Sequence, residues 1–236
     1  MIFRQLFDKK SSAYTYLLAH EQSGEAVFID PVADYIEDYL TLLDHYGCKL
    51  KYSLETHVHA DHITGSGLLK QRTNAQTGVN QQCGAVCADM QLKHGDTLTF
   101  GDHTIHVIAT PGHTPGSTSF LIDDRLFTGD ALMIDSCGRT DFQGGDAGAQ
   151  YDSIVQRLFT LPDETLVYPG HDYTGKWVSC IGQERMINAR LAGKTREAFS
   201  QIMNNLNLPN PKLIDIAVSA NRKCGIQEAT EALPQS

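Results

Sequence analysis

Leu54-Glu55-Thr56-His57-Val58-His59-Ala60-Asp61-His62-Ile63-Thr64-Gly65 carries three imidazoles and a carboxylate within six consecutive residues. Groups of this kind are costly to bury at such density unless something positively charged holds them. The stretch begins like a strand and ends in a helix start. His57 and His59 therefore share one face, and the turn brings Asp61 and His62 back toward the same point. Metal binding is the chemistry that fits.

Three later islands complete the pattern. Thr110-Pro-Gly-His-Thr-Pro-Gly116 sets His113 after a strand, Thr128-Gly-Asp130 sets an acid after another, and Tyr168-Pro-Gly-His-Asp172 repeats the arrangement with His171. One His-Gly or Gly-Asp alone is an ordinary turn. Four islands, each where a strand becomes a loop on a rigid scaffold, are not. His20, His45, His94, His103 and His106 lie outside these contexts and are read as surface, turn or strand histidines.

Two metal arrangements suit the ligands. His57, His59, Asp61, His62, His113, Asp130 and His171 can hold two ions bridged by Asp130, with a shared water attacking an ester or phosphate. Alternatively, His57, His113 and Asp130 form a two-histidine, one-carboxylate face around ferrous iron. His59, Asp61, His62 and His171 then orient ligands and substrate through hydrogen bonds. The ligand inventory does not choose between them.

The remaining sequence bounds the class. At 236 residues the chain can bury a full core, and 41% hydrophobic with 20% charged residues suits an ordered protein. A net charge of −9 without a basic run argues against nucleic acid as a partner. No secretory signal or membrane-length apolar run is present, so a cytoplasmic location is expected, with no membrane partner. Six dispersed cysteines do not suggest a disulfide scaffold, and reduced thiols are expected. Cys83 and Cys87 read as two unremarkable thiols near a surface loop, and Cys137 as packing beneath the Asp130 loop.

Strands are predicted at 2–7, 12–19, 25–30, 50–57, 98–100, 104–110, 117–123, 125–128 and 165–168. Asp102-His103 and Asp123-Asp124 read as hairpin turns. Helices are predicted at 34–46, 62–72, 149–159, 178–190 and 195–205, before Pro209 and Pro211 set off an irregular tail. The expectation is one α/β domain over 1–236, with sheets covered by helices and residues 178–236 forming a packed C-terminal layer.

His57-Val-His59-Ala-Asp61-His62, with His113, Asp130 and His171, resembles the metallo-β-lactamase superfamily. The resemblance implies an αββα sandwich with a short C-terminal extension and the metal at one edge between the sheets. Cys137-Gly-Arg-Thr-Asp-Phe142, Tyr168-Pro-Gly-His-Asp-Tyr173, Asn205-Leu-Asn-Leu-Pro-Asn-Pro-Lys212 and Ile214-Asp-Ile-Ala-Val-Ser-Ala-Asn-Arg-Lys-Cys-Gly225 are similar to the persulfide dioxygenase family. That family implies one Fe(2+) per subunit on His57, His113 and Asp130. It also implies oxidation of glutathione persulfide by dioxygen and water to sulfite and glutathione, a homodimer and coupling to a sulfurtransferase. Arg139, Tyr173 and Arg222 are the expected contacts to the glutathione carboxylates and polar groups, Arg139 having an ion pair with Asp141 or Asp135 as its alternative role. The rival readings are a dinuclear zinc hydrolase of S-lactoylglutathione like glyoxalase II, and a noncatalytic metal-stabilised binding protein.

Overall fold

Period-two alternation in β2 (Tyr14–Ala19) divides its side chains between two apolar layers. Tyr14, Tyr16 and Leu18 enter the layer between two sheets, while Leu17 and Ala19 face the helices outside. The computed structural model describes residues 1–211 and 213–226. The Asn205–Lys212 motif thus reaches outside the described residues at Lys212, and residues 227–236 of the expected C-terminal layer also lie outside them.

The first sheet runs β1 (Ile2–Phe7), β2, β3 (Glu25–Ile29), β4 (Lys49–Leu54), β5 (Gln76–Asn80) and β6 (Met90–Leu92) in spatial order. The first three strands are antiparallel neighbours, and β3 to β6 pair in parallel. Parallel pairing requires crossovers, and α1 (Ile36–His45) and α2 (Ser66–Thr73) supply two of them. The second sheet has the order β12-β11-β10-β9-β8-β7. Its strands are β7 (Thr97–Phe100), β8 (His103–Ala109), β9 (Thr118–Ile122), β10 (Arg125–Gly129), β11 (Leu166–Pro169) and β12 (Ser179–Cys180). Only β10 and β11 pair in parallel in this sheet.

Phe100, Ile105, Val107, Phe120, Ile122 and Phe127 meet Tyr16, Val27, Ile29 and Leu54 between the sheets. Outside the second sheet, α3 (Ala147–Ser153), its π-helical continuation Ile154–Leu158, α4 (Ile181–Ile187) and α5 (Arg196–Asn204) cover Leu126 and Val167. Helices on both outer faces of two stacked sheets make the expected αββα sandwich.

Several boundaries differ from the sequence reading for local reasons. The helix expected from residue 62 starts at Ser66, because residues 62–65 form an irregular turn whose Thr64 hydroxyl donates to Glu55. The helix expected at 149–159 starts earlier, at Ala147, where the Asp146 carboxylate accepts the Ala149 N–H at 2.8 Å. The one expected at 178–190 shrinks to α4, since Ser179 and Cys180 pair with β11. His103 begins β8 rather than occupying a turn. The irregular tail contains a helix, α6 (Ile214–Asn221), beyond Pro211.

Reduced thiols are corrected at one pair: Cys87 and Cys224, 137 residues apart in sequence, form a disulfide. That bond removes the cysteine argument for a cytoplasmic setting. Cys83 and Cys137 are free and buried, and burial pushes the Cys137 thiol up to about 11. Among the described residues, no helix is long and apolar enough to cross a membrane.

Phe127 is fully buried, with its ring 4.9 Å from that of Tyr16. Truncating such a ring leaves a cavity as well as losing transfer free energy, so Phe127→Ala should cost about 3–5 kcal/mol. Urea unfolding should show a lower midpoint with an unchanged slope.

Candidate metal centre

Strand direction assembles this centre. β8 is antiparallel to β9 and β9 to β10, so β8 and β10 run the same way, and β11 is parallel to β10. Their C-terminal ends release His113, Asp130 and His171 at one edge. In the other sheet, the end of β4 releases the run from Glu55 to His62. Ligand atoms of His57, His113 and Asp130 lie within 4.8 Å of one another.

Each ligand has one atom tied and another left for an ion. His113 donates from Nδ1 to the Arg139 carbonyl at 2.6 Å, leaving Nε2 3.7 Å from Asp130 Oδ2. His57 Nδ1 lies 2.9 Å from the Thr56 hydroxyl, which donates to Asp30 Oδ2 at 2.8 Å, so its Nε2 is left for the ion. Asp130 Oδ1 accepts from His171 Nδ1 at 2.7 Å. Such outer hydrogen bonds fix ring orientation and tautomer at metal sites. Gly138 lets the loop close, since a Cβ there would stand 2.5 Å from the Asp130 carbonyl oxygen and 2.8 Å from His113 Nδ1.

Electrostatics favour the same atoms. Burial, with His59 and His113 nearby, holds His57 well below the usual imidazole range, so it stays a neutral donor. Burial alone would raise the Asp130 carboxyl, but the charge of His171 and its hydrogen bond overcome it and hold the group far below the carboxylate range. A neutral imidazole at His57 and an anionic carboxylate at Asp130 are donors that a divalent ion takes as ligands.

The remaining expected residues surround this triad. His171 Nε2 lies 2.9 Å from Asp61 Oδ2, and the same oxygen is 2.9 Å from His62 Nδ1. His59 turns away: its Nε2 is 3.2 Å from both Asp30 Oδ1 and Glu55 Oε2. His59, Asp61 and His62 make a further group able to hold an ion, and Asp30, Glu55 and His59 another. Asp30, Glu55 and Thr56 were not singled out by sequence reasoning. Asp30 follows β3 at a strand end, the signal that identified His113 and Asp130.

A Metallo-beta-lactamase superfamily pattern matches residues 9–82 and 90–171. The chain belongs to that superfamily. Within this metallo-β-lactamase group, mouse persulfide dioxygenase ETHE1, a mitochondrial protein, is 46% identical over 229 residues, covering 96% of this chain and 90% of its own. The crystal structure of ETHE1 from Myxococcus xanthus superposes with a TM-score of 0.94 at 54% identity, covering 96% of this chain and all of that one. The cytoplasmic hydroxyacylglutathione hydrolase of Arabidopsis thaliana is 35% identical over 172 residues, covering 69% of this chain and 65% of its own. The near-full-length likeness therefore falls on the persulfide dioxygenase branch.

His57, His113 and Asp130 line a cavity of about 790 Å³, a size suited to a small molecule. Its walls include Arg139 and Tyr173, as expected, together with Lys10, Phe142 and Arg190. The Tyr173 ring stacks on His171, with 6.0 Å between centroids. Arg139 also makes the ion pair weighed for it: it clasps Asp141 through Nε and Nη2, each at 2.6 Å, and donates from Nη1 to the Pro209 carbonyl at 2.6 Å. Arg222 is not brought to this cavity. It sits exposed just past α6 beside a separate depression lined by Gln143 and Asp215.

The protonated partners set a pH dependence for the metal-free protein. Asp30 and Glu55 raise His59 to about 10 despite burial, from an ordinary 6.5, and Asp130 with Asp61 raises His171. That stabilisation is complete below pH 6.5 and is lost as pH climbs toward 10. Asp61 and Asp130 are depressed from an ordinary 3.8, so their contribution is lost as pH falls below that value. Melting temperature of the metal-free protein, followed by circular dichroism, should peak between those limits and fall on both sides. Separately, Thr56→Val cuts the link from Asp30 to His57 and should weaken metal affinity about 10- to 100-fold in chelator competition.

Proposed function

We propose that the protein is a mononuclear non-haem iron persulfide dioxygenase. Glutathione persulfide, dioxygen and water give glutathione, sulfite and two protons, a balance that needs no further oxidant. The observation that carries this reading is near-full-length likeness to ETHE1 persulfide dioxygenases, joined to a complete His57, His113 and Asp130 triad. Ferrous iron on these ligands would supply open positions for sulfur and dioxygen and the redox capacity that zinc lacks.

The chain's own residues do the rest. His57 and His113 present their Nε2 atoms, while hydrogen bonds to Thr56 and Arg139 fix the opposite ring edges. His171 bridges Asp130 and Asp61, holding a proton between the two carboxylates on the cavity wall. Arg190 adds positive charge to the cavity wall, where the glutathione carboxylates need it, and Tyr173 offers an apolar face with a hydroxyl. The Arg139–Asp141 clasp braces the wall by holding residues 208 and 209. Supply of the persulfide by a sulfurtransferase fits this chemistry, since sulfane-sulfur transfer to glutathione yields this substrate.

The hydrolytic alternative needs Asp61, His62 and His171 to turn toward a second ion. Their hydrogen bonds to one another and to Asp130 favour the single-ion reading. Anaerobic purification with metal analysis, then oxygen-uptake and sulfite assays, separates the two. One iron per chain, with oxygen consumed and sulfite formed, is expected. Two zinc ions with thioester hydrolysis and no oxygen uptake would refute the proposal. Asp130→Ala removes the only anionic ligand of the triad and should abolish both iron retention and oxygen uptake.

A further inference from the structure

Asn221, the last residue of α6, is 5% exposed, and the metal-bearing loop saturates its amide. Its Oδ1 accepts the Thr64 N–H at 2.9 Å, and its Nδ2 donates to the carbonyls of His59 at 2.9 Å and His62 at 2.8 Å. These groups belong to the irregular stretch between β4 and α2, where no strand or helix ladder disciplines the backbone. Buried main-chain groups of this kind require partners, and one amide here satisfies three of them.

The end of α6 is itself fixed against the loop. The Gly67 N–H donates to the Cys224 carbonyl at 2.9 Å, and a Cβ at Gly67 would stand 2.5 Å from that oxygen. Backbone meets backbone at this point, which leaves little freedom for Asn221 to shift. Asn221 does not line the ligand cavity, and its amide oxygen and nitrogen are engaged by the loop.

We propose that Asn221 is a positioning residue: from the C-terminal helix, its amide sets the path of the loop carrying His57, Asp61 and His62, and so governs metal retention and turnover. This inference rests on reading His57, His113 and Asp130 as the metal ligands. A purely structural asparagine would lower melting temperature when replaced and leave a loaded site unaltered. A positioning residue also changes how fast metal leaves and how fast the loaded site turns over.

The test uses the full chain loaded with iron(II) under anaerobic conditions. Asn221→Asp is isosteric and keeps the acceptor for Thr64, but sets an oxygen against two carbonyls; Asn221→Ala removes all three bonds. Excess ferrous chelator should strip iron from both variants about tenfold faster or more. Their kcat per bound iron should fall, with KM for glutathione persulfide within about twofold of the parent. In Asn221→Ala, which alone loses the acceptor, the Thr64 amide should also lose protection from hydrogen exchange. Ile216→Ala, on the exposed face of the same helix, should change none of these. Parent-like stripping and kcat in either folded variant would overturn the proposal. So would failure of both to fold, which would make the role one of folding. A parent protein that retains no metal would instead refute the ligand reading.

Discussion

Asp30 stands at the end of β3 with φ +53° and receives two hydrogen bonds from Thr56, one from its N–H at 2.7 Å and one from its hydroxyl at 2.8 Å. Left-handed backbone is unfavourable for most residues with a side chain, and aspartate tolerates it better than most. Here the surroundings over-determine it: the Asp30 N–H reaches the Leu54 carbonyl at 2.9 Å, and its own carbonyl accepts the Thr15 hydroxyl at 2.7 Å. Three strand ends are thereby locked to one residue, through its main chain and through its carboxylate. Thr56 passes that constraint to His57, and the direction of His57 Nε2 decides whether it can meet His113 and Asp130.

The same carboxylate draws His59 away from the triad, with Glu55 as its partner. Of the dense run that begins at His57, one histidine thus stands with the distant His113 and Asp130, while the others enter a buried network of acids and imidazoles. That network suits an acidic chain. The net charge of −9 is spread widely, and at the site carboxylates are each matched by an imidazole within hydrogen-bond distance. Two cations stand on the cavity wall, Lys10, ion-paired with Asp34 at 2.6 Å, and Arg190.

Much of this was legible in the sequence because strand-to-loop junctions announce themselves. Each of the islands at His57, His113, Asp130 and His171 follows an apolar strand, and the structure gathers all four at one edge. β5 was missed because Gln76 and Gly78 weaken its strand character, and β6 because three residues carry too little pattern. The Cys87–Cys224 bond spans 137 residues, so local spacing held no sign of it. At the tail, Pro209 and Pro211 obscured α6. Arg222 drew attention by its charge, yet its neighbour Asn221 is the one that faces the metal loop. Successive helical positions point about 100° apart, so adjacency in sequence says little about facing.

The account turns on a single ion held by two imidazoles and one carboxylate. X-ray absorption at the iron edge of the anaerobically loaded protein tests this directly. The predicted spectrum has two imidazole nitrogens and a carboxylate oxygen around iron, with no metal scatterer beyond them. A second metal at about 3.5–4 Å, the spacing of two-ion hydrolytic sites, would contradict it.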